Sequence, residues 1–248
     1  MIGSRPTQVY FYGTCLVDLF FPDAGMAGIQ LLRQAGVEVI FPEGQTCCGQ
    51  PAFNCGYWEE AREVARTQVA LFPKDIPVIL PSGSCAGMMK VHYPELFHGQ
   101  PDEAQVLAFS GRVYELTQFL VNVLQVKLED LGAPVKVTWH SSCHAVRDLG
   151  LNGEPQSLLQ QLKNVELAPL TREHECCGFG GTFAVRQPEI SGAMVCDKAA
   201  DAEATGASRV LSTDGGCLLN VNGALEAKKS PLQVQHIAEF LWERTHAR

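Results

Sequence analysis

The sequence lacks the features that mark membrane and secreted proteins. None of its apolar runs approaches 18 residues, so no membrane-spanning helix is expected. The first residues, MIGSRPTQVYFYG, do not contain the continuous apolar stretch of a signal peptide. We therefore expect a cytoplasmic protein without a transmembrane segment.

Positive charge is also scarce. The chain has 19 Lys and Arg against 27 Asp and Glu, a net charge of −8, which argues against a nucleic-acid-binding protein. The glycine run GFGG at 178–181 lacks the spacing of a dinucleotide fingerprint, and no P-loop Lys-Ser/Thr follows it. The 248 residues, 46% hydrophobic and 19% charged, suit a globular α/β protein of one large domain or two small ones.

The feature that stands out is the cysteine content. In the cytoplasm, ten cysteines point to metal or redox chemistry rather than to a disulfide framework. Two Cys-Cys-Gly corners occur, in QTCCGQ at 45–50 and in ECCGFGG at 175–181. Adjacent cysteines seldom bridge each other, because the ring that they would close is strained. We expect another use for these sulfurs.

The cysteines repeat along the chain with nearly constant spacing. Equivalent positions lie 128, 129 and 132 residues apart. The first quartet is Cys15, Cys47, Cys48 and Cys85, and the second is Cys143, Cys176, Cys177 and Cys217. This pattern predicts a duplication, with one repeat at 1–131 and the other at 132–248. Cys55 and Cys196 have no counterparts and are expected to pack as small apolar side chains.

Strand-like and helix-like patterns alternate in both halves. Short β-branched or aromatic runs predict strands at 9–14, 37–43, 77–83, 135–141, 165–171 and 209–215. Helices are predicted at about 23–35, 57–71, 112–130, 155–163, 187–205, 216–227 and 232–246. The alternation predicts an α/β fold of two pseudo-symmetric repeats, each a small parallel sheet flanked by helices.

Each cysteine of a quartet follows a predicted strand within a few residues. Because parallel sheets bind ligands beyond the carboxyl ends of their strands, each quartet is expected in a pocket at the edge of its own sheet. Gly49 and Gly178 allow the turn that an adjacent cysteine pair needs to face one centre. Four converging thiols suit an iron–sulfur cluster or zinc. The absence of Cys-x-x-Cys and the wide ligand spacing favour the cluster.

Four segments resemble the cysteine-rich CCG-domain family: TCCGQPAFNCGY (46–57), PSGSCAGMM (81–89), HSSCHAVRDLG (140–150) and CCGFGGTFAV (176–185). The family includes the cysteine-rich component of heterodisulfide reductase and the glycolate oxidase iron–sulfur subunit, and the likeness is strongest to its short lactate-utilisation branch. It implies one or two [4Fe-4S]-type clusters bound by the eight repeated cysteines. It also implies a non-autonomous electron-transfer subunit of a multi-subunit complex that oxidises L-lactate to pyruvate, with companion lactate-utilisation subunits as partners.

The sequence departs from the family pattern in its closing Cys-x-x-Cys. Ser82 and Asp214 stand in the first cysteine position, which argues against disulfide-cleaving chemistry of the heterodisulfide reductase type. Asp214 is expected to cap a helix, with oxygen ligation as the alternative. His140, His144 and His174 cluster around the second quartet, where they could tune a cluster, carry protons, replace a ligand or satisfy backbone carbonyls. A zinc-stabilised scaffold and a thiol–disulfide enzyme stay open as alternative functions.

Overall fold

Two parallel sheets with the same topology form the frame of the molecule. The computed structural model describes residues 5–246. The first sheet contains β1 (Gln8–Phe11), β2 (Glu38–Ile40), β3 (Val78–Leu80) and β4 (Val113–Glu115). The second contains β5 (Val135–Trp139), β6 (Val165–Ala168), β7 (Arg209–Ser212) and β8 (Gln233–His236). Their strand orders, β2-β1-β3-β4 and β6-β5-β7-β8, are equivalent. The prediction of an α/β fold with two pseudo-symmetric halves is confirmed.

Helices connect and flank the strands in both halves. The first half contains α1 (Cys15–Phe20), α2 (Pro22–Gln34), α3 (Gln50–Asn54), α4 (Trp58–Ala70), α5 (Gly83–Gly87), α6 (Tyr93–Leu96), α7 (Glu103–Ser110), α8 (Leu116–Gln118) and the π-helical segments Met88–His92 and Phe119–Val123. The second contains α9 (Cys143–Arg147), α10 (Glu154–Leu159), α11 (Thr182–Arg186), α12 (Pro188–Ala204), α13 (Gly215–Ala227) and α14 (Ile237–Thr245). Within residues 5–246, none of these helices has the length and apolar character to cross a bilayer.

Two predicted helices were wrong at their starts. The helix expected at 112–130 begins with β4, and the helical turns that follow it end at Val123. The helix expected at 232–246 begins with β8. Both strands have only three or four residues and run directly into a helix, so a period-2 pattern has no room to show itself. They are the fourth strands of their sheets, and the duplication extends to them.

The two halves share an apolar core. Side chains along β1, β3 and β7 alternate between this shared core and an outer cluster of their own half. In β1, Val9 and Phe11 face a cluster that also holds Val137 and Trp139 of β5, whereas Tyr10 packs in an outer cluster. Helix α14 packs against α2 of the other half. The boundary at 131/132 stays a prediction, because the halves meet through this common core.

Candidate metal centre

The same local structure delivers the cysteines in both halves. The first cysteine of each quartet begins a helix directly after the central strand, at Cys15 in α1 and Cys143 in α9. The cysteine pair lies in the loop after the neighbouring strand, and the fourth cysteine lies in the first turn of α5 or α13. All four positions are at the carboxyl edge of their sheet, where parallel α/β folds bind ligands.

The eight thiols meet at a single cavity of about 160 Å³. Its lining includes all predicted site residues: Cys15, Cys47, Cys48, Cys85, Cys143, Cys176, Cys177 and Cys217. The prediction of a separate pocket for each quartet is therefore wrong. The carboxyl edges of both sheets face the same space between the halves.

Crossed helix packing explains the shared cavity. Helix α5 of the first half packs on α9 of the second, and α13 of the second packs on α1 of the first. A Cβ on Gly83 would lie 2.6 Å from the Cβ of Ala145, and a Cβ on Gly215 would lie 3.2 Å from the ring of Phe21. Glycine at these positions lets the helix of a fourth cysteine approach the helix of the other half's first cysteine.

Within each quartet the sulfur atoms lie side by side in chain order. Cys48 Sγ lies 3.4 Å from Cys85 Sγ. Hydrogen bonds from Cys15 and Cys48 lower the pKa of Cys47 to about 3. The corresponding bonds from Cys143 and Cys177 lower the pKa of Cys176 to about 2.

These hydrogen bonds have the opposite effect on their donors. They raise the pKa of Cys15 and Cys48 in the first quartet, and of Cys143 and Cys177 in the second, with burial as a further cause. Each quartet therefore favours a thiolate on the first cysteine of its Cys-Cys pair. Four thiolates at such separations require a cation among them, because their charges repel in a buried site. The donor set is that of a soft metal centre.

The Cys-Cys-Gly corners have the backbone that the sequence predicts. Gly49 and Gly178 both have a φ of 82°, in the left-handed region that glycine adopts readily. The N–H of Gly178 donates to Cys176 Sγ at 3.3 Å. Such N–H···S bonds favour the thiolate and orient it toward a bound metal.

Ser82 and Asp214 both cap helices, as expected for Asp214. Ser82 Oγ accepts from Cys85 N at 3.4 Å, and Asp214 Oδ1 accepts from Gly216 N at 3.3 Å. Asp214 Oδ2 also accepts from Ser84 N at 2.8 Å and from Ser142 Oγ at 3.1 Å. This buried carboxylate lines the cavity and joins the two halves there, a role that its place in the sequence does not reveal.

The three histidines near the second quartet occupy different environments. His140 is 1% exposed, and burial lowers its pKa to about 4. His144 lines the cavity and bonds through Nδ1 to Asp148 Oδ2 at 2.7 Å. His174 is exposed on a turn. His144 is the one that adjoins Cys143 in the sequence, whereas the buried member of the three is His140.

The packing prediction for the two unpaired cysteines was wrong. Cys196 is exposed on α12. Cys55 is half-buried, with Sγ 3.1 Å from Thr182 Oγ1 and 3.7 Å from Arg186 Nη1 of the other half. Hydrogen bonds with Thr182 and Arg186 lower the pKa of Cys55, so its surroundings are polar rather than apolar.

Comparison with known proteins supports the duplication. The cysteine-rich domain CCG matches residues 9–90 and 137–222. Lactate utilization protein A of Geobacillus kaustophilus (strain HTA426) is 46% identical over 237 residues, which cover 94% of this chain and 98% of that protein. The protein of the same name from Bacillus licheniformis is 47% identical over 242 residues, covering 96% and 100%.

A solved structure supports the fold alone. The crystal structure of a hypothetical protein from Helicobacter pylori matches with a TM-score of 0.69 at 12% identity, and the match covers 98% of this chain and 50% of that one. With both CCG domains present and relatives that match over nearly the full length, the chain belongs to the cysteine-rich CCG-domain family, in the group of proteins named lactate utilization protein A.

Proposed function

We propose that this chain is an iron–sulfur electron-transfer subunit of a cytoplasmic multi-subunit complex that oxidises L-lactate to pyruvate. The observation that carries the proposal is the convergence of two cysteine quartets on one cavity. The name of the relatives, lactate utilization protein A, supports the metabolic assignment. Ten unpaired thiols suit a reducing compartment.

The residues around the cavity fit iron–sulfur chemistry. Thiolates select zinc and iron–sulfur centres over hard cations, and the dispersed arrangement differs from a compact zinc knuckle. The first quartet would hold one centre and the second quartet another. A bound cluster supplies a site that accepts and releases single electrons.

The chain itself provides the environment for such centres. Buried Cys48, Cys177 and Cys217 keep part of each quartet away from water. The N–H of Gly178 stabilises negative charge on Cys176 Sγ. Because both quartets line the same cavity, electrons would pass between the two centres over a short path.

Lactate oxidation releases two electrons, which calls for a flavin or for several one-electron centres. The sequence carries no dinucleotide-binding fingerprint, so we assign the two-electron step to a companion subunit. Because that two-electron step needs another subunit, this chain would act within a complex.

The first test is the metal content of anaerobically purified protein. We expect a brown protein that contains iron and acid-labile sulfide and shows an electron paramagnetic resonance signal after reduction. C47S and C176S should each lower the iron content by about one half, since each quartet binds its own centre. The matched control is C196S, which changes an exposed cysteine outside the cavity and should retain the iron. A colourless protein that contains zinc and no sulfide would contradict the proposal.

The second test concerns activity. We expect the isolated chain not to oxidise lactate with an artificial electron acceptor, whereas the complex purified with its companion subunits does. C47S and C176S should lower the turnover of that complex. Robust lactate oxidation by the isolated, iron-loaded chain would refute the assignment of an electron-transfer subunit.

A further inference from the structure

His140 and Tyr12 occupy the same position in the two repeats but differ in their bonding. Each lies three residues before the first cysteine of its quartet, directly after the central strand, and both are buried. The hydroxyl of Tyr12 donates to the carbonyl oxygen of Thr46 at 2.6 Å. Among residues 5–246, neither ring nitrogen of His140 has a hydrogen-bond partner. The buried polar group at this position is therefore hydrogen-bonded in the first repeat but not in the second.

Buried polar atoms in folded proteins are nearly always bonded, so an imidazole without protein partners indicates a bound water, ligand or ion at this position. After burial, the charges of Lys198 and Asp214 have the largest effects on the pKa of His140, but both side chains are bonded to other groups. Lys198 Nζ donates to the carbonyl oxygens of Arg172 and Glu173. The carboxylate of Asp214 accepts from Ser84, Ser142 and Gly216. Neither completes the bonding of the ring.

Two sulfur atoms of the second quartet lie close to the His140 ring. A ring nitrogen of His140 and the sulfur atoms of Cys177 and Cys217 all lie within 4.8 Å of one another, and all three residues are buried. Metal bonds of about 2.0–2.1 Å to nitrogen and about 2.3 Å to sulfur, as for zinc, allow one metal atom to contact donors at such separations.

We propose that His140 binds the metal centre of the second quartet through a ring nitrogen. The second site then has a mixed nitrogen and sulfur ligand set, whereas the first is bound by sulfur alone. This inference rests on the proposed function for the identity of the metal. It also makes the two centres distinguishable, although their cysteines are arranged alike.

The test is pulsed electron paramagnetic resonance on the reduced full-length protein, grown with either natural or ¹⁵N-labelled histidine. We expect a strong hyperfine coupling to nitrogen that changes with the histidine label. H140Y, which installs the residue of the first repeat, should lose this coupling and keep the iron of the first quartet. The matched control is H144A, which removes the half-buried histidine next to Cys143 and should keep the coupling.

Where H140Y fails to fold, the wild type and H144A together carry the test, and a coupling that persists in H144A supports His140. Iron–sulfur protein without a strong histidine coupling overturns the role of His140 and leaves the proposed function intact. Loss of the coupling in H144A but not in H140Y overturns it as well. If the wild type holds zinc without sulfide, the iron–sulfur function is wrong. X-ray absorption of that zinc then tests His140: a nitrogen ligand lost in H140Y supports the inference, and an all-sulfur shell overturns it.

Discussion

At the residue scale, the two glycines of the Cys-Cys-Gly corners share a backbone conformation but not their surroundings. Both have a φ of 82°. A Cβ on Gly49 would lie 3.5 Å from its nearest neighbours, which include the carbonyl oxygen of Ala61, whereas a Cβ on Gly178 would lie 2.7 Å from the carbonyl oxygen of Ser191. The second corner is therefore more tightly packed than the first.

We expect G178A to be more damaging than G49A. Placing alanine at positive φ should lower the free energy of unfolding by roughly 1–3 kcal/mol in both variants. The backbone clash at Gly178 should add roughly 1–3 kcal/mol, since overpacking forces the chain to shift. Urea unfolding measures both costs. The control is G223A in α13, where a Cβ meets no atom within 4 Å and no loss is expected. Equal losses in G178A and G49A would contradict the argument.

The sequence predicted the cysteines and glycines of the site but did not single out His140. Cysteine spacing and the special backbone of glycine are properties of the chain itself, and they can be read without coordinates. The importance of a histidine depends on its burial and on the absence of partners. His144 is adjacent to Cys143 in sequence, yet its ring bonds to Asp148, whereas the ring of His140 lies beside Cys177 and Cys217.

At the scale of elements, the fourth strand of each sheet ends in a buried residue that caps the next helix. The side chain of Glu115 caps α8, and that of His236 caps α14. Glu115 Oε2 accepts from Thr117 N at 2.7 Å and Gln118 N at 3.1 Å, while Oε1 has no partner within residues 5–246. Burial raises the pKa of Glu115 to about 7, although a hydrogen bond from the Thr117 hydroxyl and the two backbone hydrogen bonds oppose the rise.

We expect this carboxyl group to make the protein less stable as the pH rises. The pKa is about 7 in the fold and near its ordinary value of 4.5 in the unfolded chain, so the fold binds the proton more tightly. The resulting stabilisation is fully present below about pH 4.5 and is lost as the pH rises through about 7. E115Q should therefore flatten the decline in unfolding free energy between about pH 5 and pH 8.

Urea unfolding of wild type and E115Q across this range measures the difference. Some decline should persist in the variant, because burial and then the charge of Asp23 raise the pKa of Glu239 to about 7 as well. Parallel pH profiles for the two proteins would show that Glu115 does not titrate as expected.

At the scale of the whole molecule, the two repeats are joined where their helices cross. Helix α5 packs on α9 at Gly83 and Ala145. A Cβ on Gly83 would lie only 2.6 Å from the Cβ of Ala145. These helices begin at or near Cys85 and Cys143, one cysteine from each quartet. The spacing of the helices therefore sets the spacing of the two candidate centres.

We expect G83A to destabilise the protein and A145G to rescue it. The added methyl group should cost roughly 1–3 kcal/mol of unfolding free energy, because it meets another methyl group in a packed interface. Removing the Cβ of Ala145 makes room for it, so the loss in the double variant should be smaller than the sum of the single losses by roughly 0.5–3 kcal/mol. Urea unfolding of wild type, G83A, A145G and the double variant gives a double-mutant cycle. Additive losses of unfolding free energy would contradict the close contact.

The sequence by itself determined the two repeats, three of the four parallel strands in each sheet and the membership of each quartet. It could do so because strands of parallel sheets end at a common edge, so that cysteines placed after successive strands must come together. Only the tertiary structure decided that both quartets face one cavity. The orientation of the halves depends on a core shared by residues such as Phe11 and Trp139, which lie more than a hundred positions apart, and on the close crossing at Gly83. Contacts between distant parts of the chain leave no local pattern in the sequence.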